Sequence, residues 1–215
     1  MPLRIESRGT PEQQDNYRRS IERVLAGVQR THVGRIVIRH INRSDRTVMI
    51  VPYTGRAINA AAVPGNDAAS GTFSSTRVVR GTNSRVLFSV DRSVRPDVPQ
   101  GTADEVLLHE LAHALRQING MVRWARDATG ARVPLRIASF GSVDEFFAAM
   151  VASVHSSELR RPVLGNHGVW ELRNPDVLLQ RPYSTRLRGF WERMPVIAAI
   201  PANVAAFNPF RDVPH

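Results

Sequence analysis

LLHELAHALRQING, residues 107–120, decides how the rest of the chain is read. It belongs to a longer stretch, ADEVLLHELAHALRQI, in which Thr102 is placed to cap a helix, Glu105 to complete the capping box three residues on, and Asn119 and Gly120 to stop it. On such a helix residues four apart lie on one face, so His109 and His113 can both reach one zinc ion. They share a stripe with Val106 and Gln117, while Leu108, Leu111 and Leu115 form an adjacent apolar face. Glu110 then flanks the open coordination position. The metal lowers the pKa of its water toward about 7, and Glu110 takes the proton and later returns it to the leaving amine. A random chain of this composition contains H-E-x-x-H with a probability of only about 0.01, so the match is informative.

Catalytic zinc has three protein ligands, and the third must come from downstream. A second helix starts at Ser142, with an S-x-x-E box to Glu145, and runs through FFAAMVASV toward Glu158. It is apolar nearly all round, which places it in the core beside the first. Glu145 opens it, where a buried carboxylate is costly unless paired or bound to metal. The competing explanation is that Glu145 only completes the cap. Asp144 is the nearest fallback. His155 would make a three-histidine site, but it lies ten residues, about 15 Å, along the helix from Glu145, so the two cannot bind one ion.

Outward from this pair, Thr10, Pro11 and Gln13 mark the start of a first helix with Tyr17, Ile21, Val24, Leu25 and Val28 on one face. GRIVIRH (34–40) and RTVMIVPY (46–53) are rich in β-branched residues and are joined by NRSD, which predicts a hairpin. Residues 54–84 are dominated by Gly, Ala, Ser, Thr and Asn and read as a long surface segment. RVLFSV (85–90) is a further strand, and its place just before the zinc helix suits the edge strand along which an extended peptide lies. A polar loop, DRSVRPDVPQG, leads from it into the zinc helix. Further on come a helix over 184–194, an apolar segment broken by Pro195 and Pro201, and an irregular tail, FNPFRDVPH. The fold class expected is α+β: a small mixed sheet on a zincin-type pair of helices, with more helices at both ends. Its 215 residues fit one domain, with the zinc core at about 102–168.

Without cysteine, any metal must be held by His, Asp or Glu. No apolar run approaches the length of a membrane span, and MPLRIESRGT has no secretory signal. Export then needs a non-classical route or delivery into target cells, with the bacterial cytoplasm as the alternative. All 29 basic residues are arginine, giving a net charge of +10. A GC-rich genome explains this, and so would selection against ubiquitination inside a eukaryotic cell. The arginines are scattered without interleaved aromatics, which disfavours nucleic acid as a partner and leaves a protein or peptide substrate.

LLHELAHALRQING followed by SVDEFFAAMVASVHSSE resembles the zinc core of lethal-factor-type endopeptidases, in which an E-F-F-A segment supplies the glutamate ligand. It is also similar to bacterial effector zinc peptidases delivered into host cells, and to bacterial proteins with a following His-Gly motif, matched by NHG (166–168), and an FNPFR tail. The resemblance covers about 102–158. It implies one zinc ion held by His109, His113 and Glu145, with Glu110 as base. Lethal-factor-type enzymes also place a tyrosine seven residues before the ligand glutamate, where this chain has Ala138. Oxyanion support must then come from elsewhere: His167 in the GNHG loop first, Tyr183 next, with Arg186 and Arg188 reading more simply as a solvated helix face. The function expected is a zinc endopeptidase used as an effector or toxin. The alternatives are a zinc amidase acting on cell-wall peptides and a non-catalytic zinc module, against which the retained Glu110 argues.

Overall fold

The computed structural model describes residues 2–53, 60–73, 79–90, 102–137, 140–163, 178–181, 183–191 and 193–213. The expected loop at 91–101 and the NHG motif lie outside these residues. Helix α1 (Pro11–Gln29) starts as the sequence predicts: the Thr10 hydroxyl accepts from Gln13 N–H, and the Gln13 side chain accepts in return from Thr10 N–H.

Residues 34–40 do not form a strand. They lie in a second helix, α2 (His32–Arg43), so the expected hairpin is absent. Val33, Val37, Ile38 and Ile41 are buried, at spacings that suit one helical face, and packing overrides the modest strand preference of their β-branched side chains. The helix start is capped twice. Thr31 Oγ1 accepts from Gly34 N–H at 3.1 Å, and the distant Glu158 carboxylate accepts from the N–H groups of His32 (2.6 Å) and Val33 (2.9 Å).

Strands β1 (Leu3–Ile5), β2 (Val48–Pro52), β3 (Ala60–Pro64) and β5 (Ser84–Phe88) form one mixed sheet in the order β1-β2-β5-β3. β1 and β5 run parallel to β2, with Leu3 opposite Val48 and Val48 opposite Ser84, while β3 is antiparallel to β5, with Ala62 opposite Val86. β5 is therefore paired on both edges and cannot be the edge strand that receives a peptide; among the described residues the edges of this sheet are β1 and β3, and β3 is the one beside α4.

The segment 54–84 is also more structured than its composition predicts. Besides β3 it holds a single helical turn, α3 (Asp67–Ser70), and β4 (Gly71–Thr72), which pairs with β6 (Val122–Arg126) beside β7 (Arg132–Pro134). A Cβ at Gly71 would stand 2.1 Å from the Val122 carbonyl oxygen, so only glycine permits this approach.

Helix α4 (Ala103–Ile118) crosses the β3–β5 side of the sheet, with α1, α2 and α5 (Val143–Glu158) packed around it. Gly120, at φ +63°, ends it in the left-handed region. Its start departs from the expected box. Glu105 keeps its bond to Thr102 N–H, but the Thr102 hydroxyl does not cap the helix and instead accepts from Arg161 Nη1 at 2.7 Å.

The C-terminal third contributes α6 (Tyr183–Trp191), α7 (Pro195–Ala198) and α8 (Pro209–Asp212). The tail is docked rather than irregular: Asn208 caps α8, and Phe210, 1% exposed, meets Phe147 with ring centroids 5.8 Å apart. The whole is an α+β fold with small mixed sheets. Among the described residues no helix is long and apolar enough to cross a membrane.

Candidate metal centre

α5 runs antiparallel to α4, because the start of α5 meets the end of α4 and the end of α5 meets its start. Asp144 bonds Arg116 at one extreme and His155 bonds Asp104 at the other. Between them Glu145 reaches the two histidines of the H-E-x-x-H run. Ser142 caps α5 by accepting from Glu145 N–H at 3.0 Å, so the backbone of Glu145 belongs to the cap while its carboxylate is directed across to α4.

Glu145 Oε1 lies 2.9 Å from His109 Nε2, Glu145 Oε2 lies 3.2 Å from His113 Nε2, and the two Nε2 atoms are 3.1 Å apart. The rings stand edge to face at 71°. Ligands about 2.0–2.1 Å from a tetrahedral ion stand about 3.3 Å from one another, so this spacing matches a donor set built around one cation. Two imidazoles and a carboxylate are also the donor types that zinc accepts. Side-chain exposure rises from 7% at His109 to 15% at His113 and 21% at Glu145, so the cluster is sheltered yet reachable from the Glu145 side.

Electrostatics agree. Burial disfavours charge on both rings, and the hydrogen bond and charge of Glu145 favour it. With the Nε2 atoms so close, the two rings disfavour being cationic together: His113 is raised by the Glu145 hydrogen bond and charge, while burial and the neighbouring ring lower His109. Glu110, 5% exposed, adds its negative charge to both rings.

The frame around the cluster is built from charges that the sequence reading did not anticipate. Arg116, 2% exposed, donates from Nε to Asp144 Oδ1 at 2.5 Å and from Nη2 to the Met121 carbonyl. Its guanidinium lies 5.0 Å from the Phe147 ring centroid and 4.9 Å from that of Phe190. Asp144 Oδ2 accepts from Arg123 N–H at 2.9 Å. Asp144, the fallback ligand of the sequence reading, is thereby committed to Arg116 and β6, and its pairing fixes the register that brings Glu145 to the histidines. No pattern in the sequence joins Arg116 to Asp144; each is only a charge in an apolar helix. On the other side of α4, Gln117 Nε2 donates to the Ala62 carbonyl (3.0 Å) and Gln117 Oε1 accepts from Ser84 Oγ (2.6 Å). This holds β3 beside the stripe that carries both histidines.

The remaining sequence candidates fall elsewhere. His155 is fully buried at the far end of α5, with Nδ1 2.8 Å from Thr31 Oγ1 and Nε2 3.1 Å from Asp104 Oδ2. Tyr183 packs its ring on Phe140 and Phe146 at 5.8 and 5.5 Å. Arg188 is exposed, as a solvated face requires, but Arg186 is half-buried beside a cavity. His167 and Ala138 lie outside the described residues.

Among curated proteins, no sequence matches the chain. Residues 6–134 match the family Peptidase_M91, described as an effector protein. The match spans more than half of the chain and includes His109, Glu110 and His113, but ends before Glu145. The chain belongs to the Peptidase_M91 effector-protein family.

Proposed function

We infer that the protein is a zinc-dependent endopeptidase, a single domain over residues 1–215 that acts as an effector on proteins of the cell that receives it. The observation that carries this reading is the convergence of His109 Nε2, His113 Nε2 and both Glu145 oxygens at ligand spacing on two packed helices. His109, His113 and Glu145 hold the metal, as in the lethal-factor-type endopeptidases that the two helices resemble. When bound, zinc supplies Lewis-acid chemistry, acidifying a water molecule and polarising the scissile carbonyl.

The chain's own residues do the rest. Glu110, next to His109 and buried, accepts the proton of the attacking water and hands it to the departing amine. The Arg116–Asp144 pair holds α5 in register so that Glu145 stays on the metal. The edge strand β3, kept against α4 by Gln117, offers main-chain groups along which an extended polypeptide can lie without sequence preference. His167 is assigned the support of the oxyanion. Delivery into another cell rests on the effector description of the family, and a lysine-free chain presents no lysine side chain for ubiquitin there.

Casein hydrolysis by the wild type and by Glu110→Gln tests the reading. The variant should keep its zinc and lose about a hundredfold or more in rate. Hydrolysis at the wild-type rate by Glu110→Gln would remove the base, and with it the proposed chemistry.

A further inference from the structure

The β6–β7 hairpin carries on one face a set of side chains that the metal centre does not use. Strand alternation puts Trp124 and Arg126 of β6 on the same face, and the antiparallel register sets Arg132 directly opposite Arg126 and Pro134 opposite Trp124. Both arginines are exposed. Like charges directly opposite one another destabilise a strand pair, and this pair is held by an aromatic side chain rather than by an acid. Phe73, which follows β4 and is 42% exposed, has its ring centroid 4.8 Å from the Arg126 guanidinium and 5.1 Å from that of Arg132. Arg132 also lies 5.7 Å from the Trp124 ring centroid.

The hairpin's one acidic residue does not neutralise the pair. Asp127 Oδ1 is taken up by the turn, accepting from the N–H groups of Thr129 and Ala131 and from the Thr129 hydroxyl. Arg126 Nη1 donates to the Gly130 carbonyl at 2.8 Å, and among the described residues neither guanidinium is bonded to a carboxylate. The strand that carries this face starts at the frame of the metal centre. Arg123 N–H is bonded to Asp144, the neighbour of Glu145, and Arg126 lies three residues, about 10 Å, further along β6.

On the peptidase reading given above, we propose that this face docks an acidic segment of the substrate polypeptide outside the cleft, with Arg126 and Arg132 receiving its carboxylates. A guanidinium lying on a ring uses its flat face there and leaves its N–H edge free, in the fork geometry that matches paired carboxylate oxygens. Arginine and aromatic side chains are also the types enriched where proteins meet other proteins. The net charge of +10 favours an acidic partner. Nucleic acid fits less well, because Phe73 is already engaged by both guanidiniums and offers no open platform for a base. A membrane fits less well because Phe73 and half-buried Trp124 leave little free apolar surface to enter the lipid boundary.

Fluorescein-labelled hexaglutamate, followed by fluorescence anisotropy as the purified full-length protein is added at fixed ionic strength, is the test. Arg126→Gln/Arg132→Gln should bind it about fivefold or more weakly than wild type, since each exposed ion pair is worth up to about that factor. Arg18→Gln/Arg39→Gln removes the same charge from exposed sites on α1 and α2 and should stay within about twofold of wild type. Arg126→Lys/Arg132→Lys keeps the charge without the forks and should fall between. Hexaglutamate should also raise the KM for casein of the wild type with kcat unchanged, and do so less in Arg126→Gln/Arg132→Gln. Glu110→Gln should bind hexaglutamate as wild type does, so docking is read apart from hydrolysis and can fail while the peptidase reading stands. Equal binding by wild type and Arg126→Gln/Arg132→Gln, an equal loss in Arg18→Gln/Arg39→Gln, or binding that leaves the KM unmoved would overturn the proposal. So would loss by Arg126→Gln/Arg132→Gln of binding to phosphatidylserine vesicles with hexaglutamate binding intact, which would reassign the face to a membrane.

Discussion

Two histidine–carboxylate sites lie between the same two helices, and they differ in how their charges are matched. At the start of α4, His155 has a partner for each ring nitrogen, Thr31 Oγ1 and Asp104 Oδ2, and Asp104 also accepts from Arg161 Nη1 at 3.0 Å. Two turns along, His109 and His113 crowd their Nε2 atoms within 3.1 Å of each other and share one carboxylate. The first is a closed network that secures α2, α4 and α5 to one another. The second brings two imidazole nitrogens and a carboxylate together at a spacing that could hold a cation. Burial and residue type are similar in both; the pattern of partners separates them, and on the proposed reading it marks His109 and His113 as the ligating pair and His155 as the structural one.

The sharpest way to break this comparison is to loosen the register that the two sites share. Arg116→Ala leaves Asp144 buried without its ion partner, which costs about 3–5 kcal/mol and should also lower zinc affinity, because Glu145 is the next residue. Urea denaturation and zinc titration of the variant measure both effects. Next in size, His155→Leu strips Thr31 and Asp104 of a partner and should destabilise the protein by about 1–3 kcal/mol while zinc content stays at the wild-type level. The opposite pattern is expected of His113→Leu: zinc is lost, and the zinc-free protein is no less stable to urea than zinc-free wild type, since one source of crowding has gone. Should His155→Leu lose zinc and His113→Leu unfold, the assignment of the two sites would be inverted.

A smaller effect depends on pH. Burial raises the carboxyl pKa of Asp104, but its bonds to His155 and Thr102 and the charge of Arg161 win, and its pKa falls well below the ordinary carboxylate value of about 3.9. A folded-state pKa below the unfolded one contributes stability that is complete above the unfolded value and is lost as pH falls through the folded one. The stability advantage of wild type over Asp104→Asn should therefore be full at about pH 6 and shrink below about pH 4. Urea midpoints across that range give the curve; an advantage growing toward acid would contradict the sign. The smallest expected effect is at the end of α5, where Glu158→Gln weakens the double acceptor over the first turn of α2, by about 1 kcal/mol.

The sequence exposes the proposed metal end more readily than the closed end, for a physical reason. H-E-x-x-H works within one helix, so its geometry follows from a four-residue spacing, and the S-x-x-E start of α5 marks where Glu145 sits. The partners of Asp104 and Arg116 lie 51 and 28 residues away, at distances no local pattern encodes. His155 could be separated from Glu145 by helix rise alone, but its own role needed the third dimension. In the fold, α1 and α5 follow from their N-terminal caps, and α4 from its body and its stop at Asn119 and Gly120, although Thr102 does not cap it. Residues 34–40 defeat the same logic: their β-branched side chains favour a strand, while the acceptors that start α2 come partly from Glu158, more than 100 residues later. β3 and β4 are carried by alanine and glycine, whose small side chains give no alternating pattern to read, although they are what lets strands approach closely. The β6–β7 hairpin had a local signal in DATG (127–130), where Asp127 Oδ1 accepts from Thr129 and Ala131 N–H and Gly130 takes φ +82°.

The central claim is that His109, His113 and Glu145 form one cation site, and elemental analysis of purified wild type and Glu145→Ala tests it most directly. About one zinc per wild-type chain is expected, with sharply less in Glu145→Ala although the variant remains folded. Full zinc retention by Glu145→Ala would place the third ligand elsewhere, and a wild type that binds no metal would contradict the account at its root.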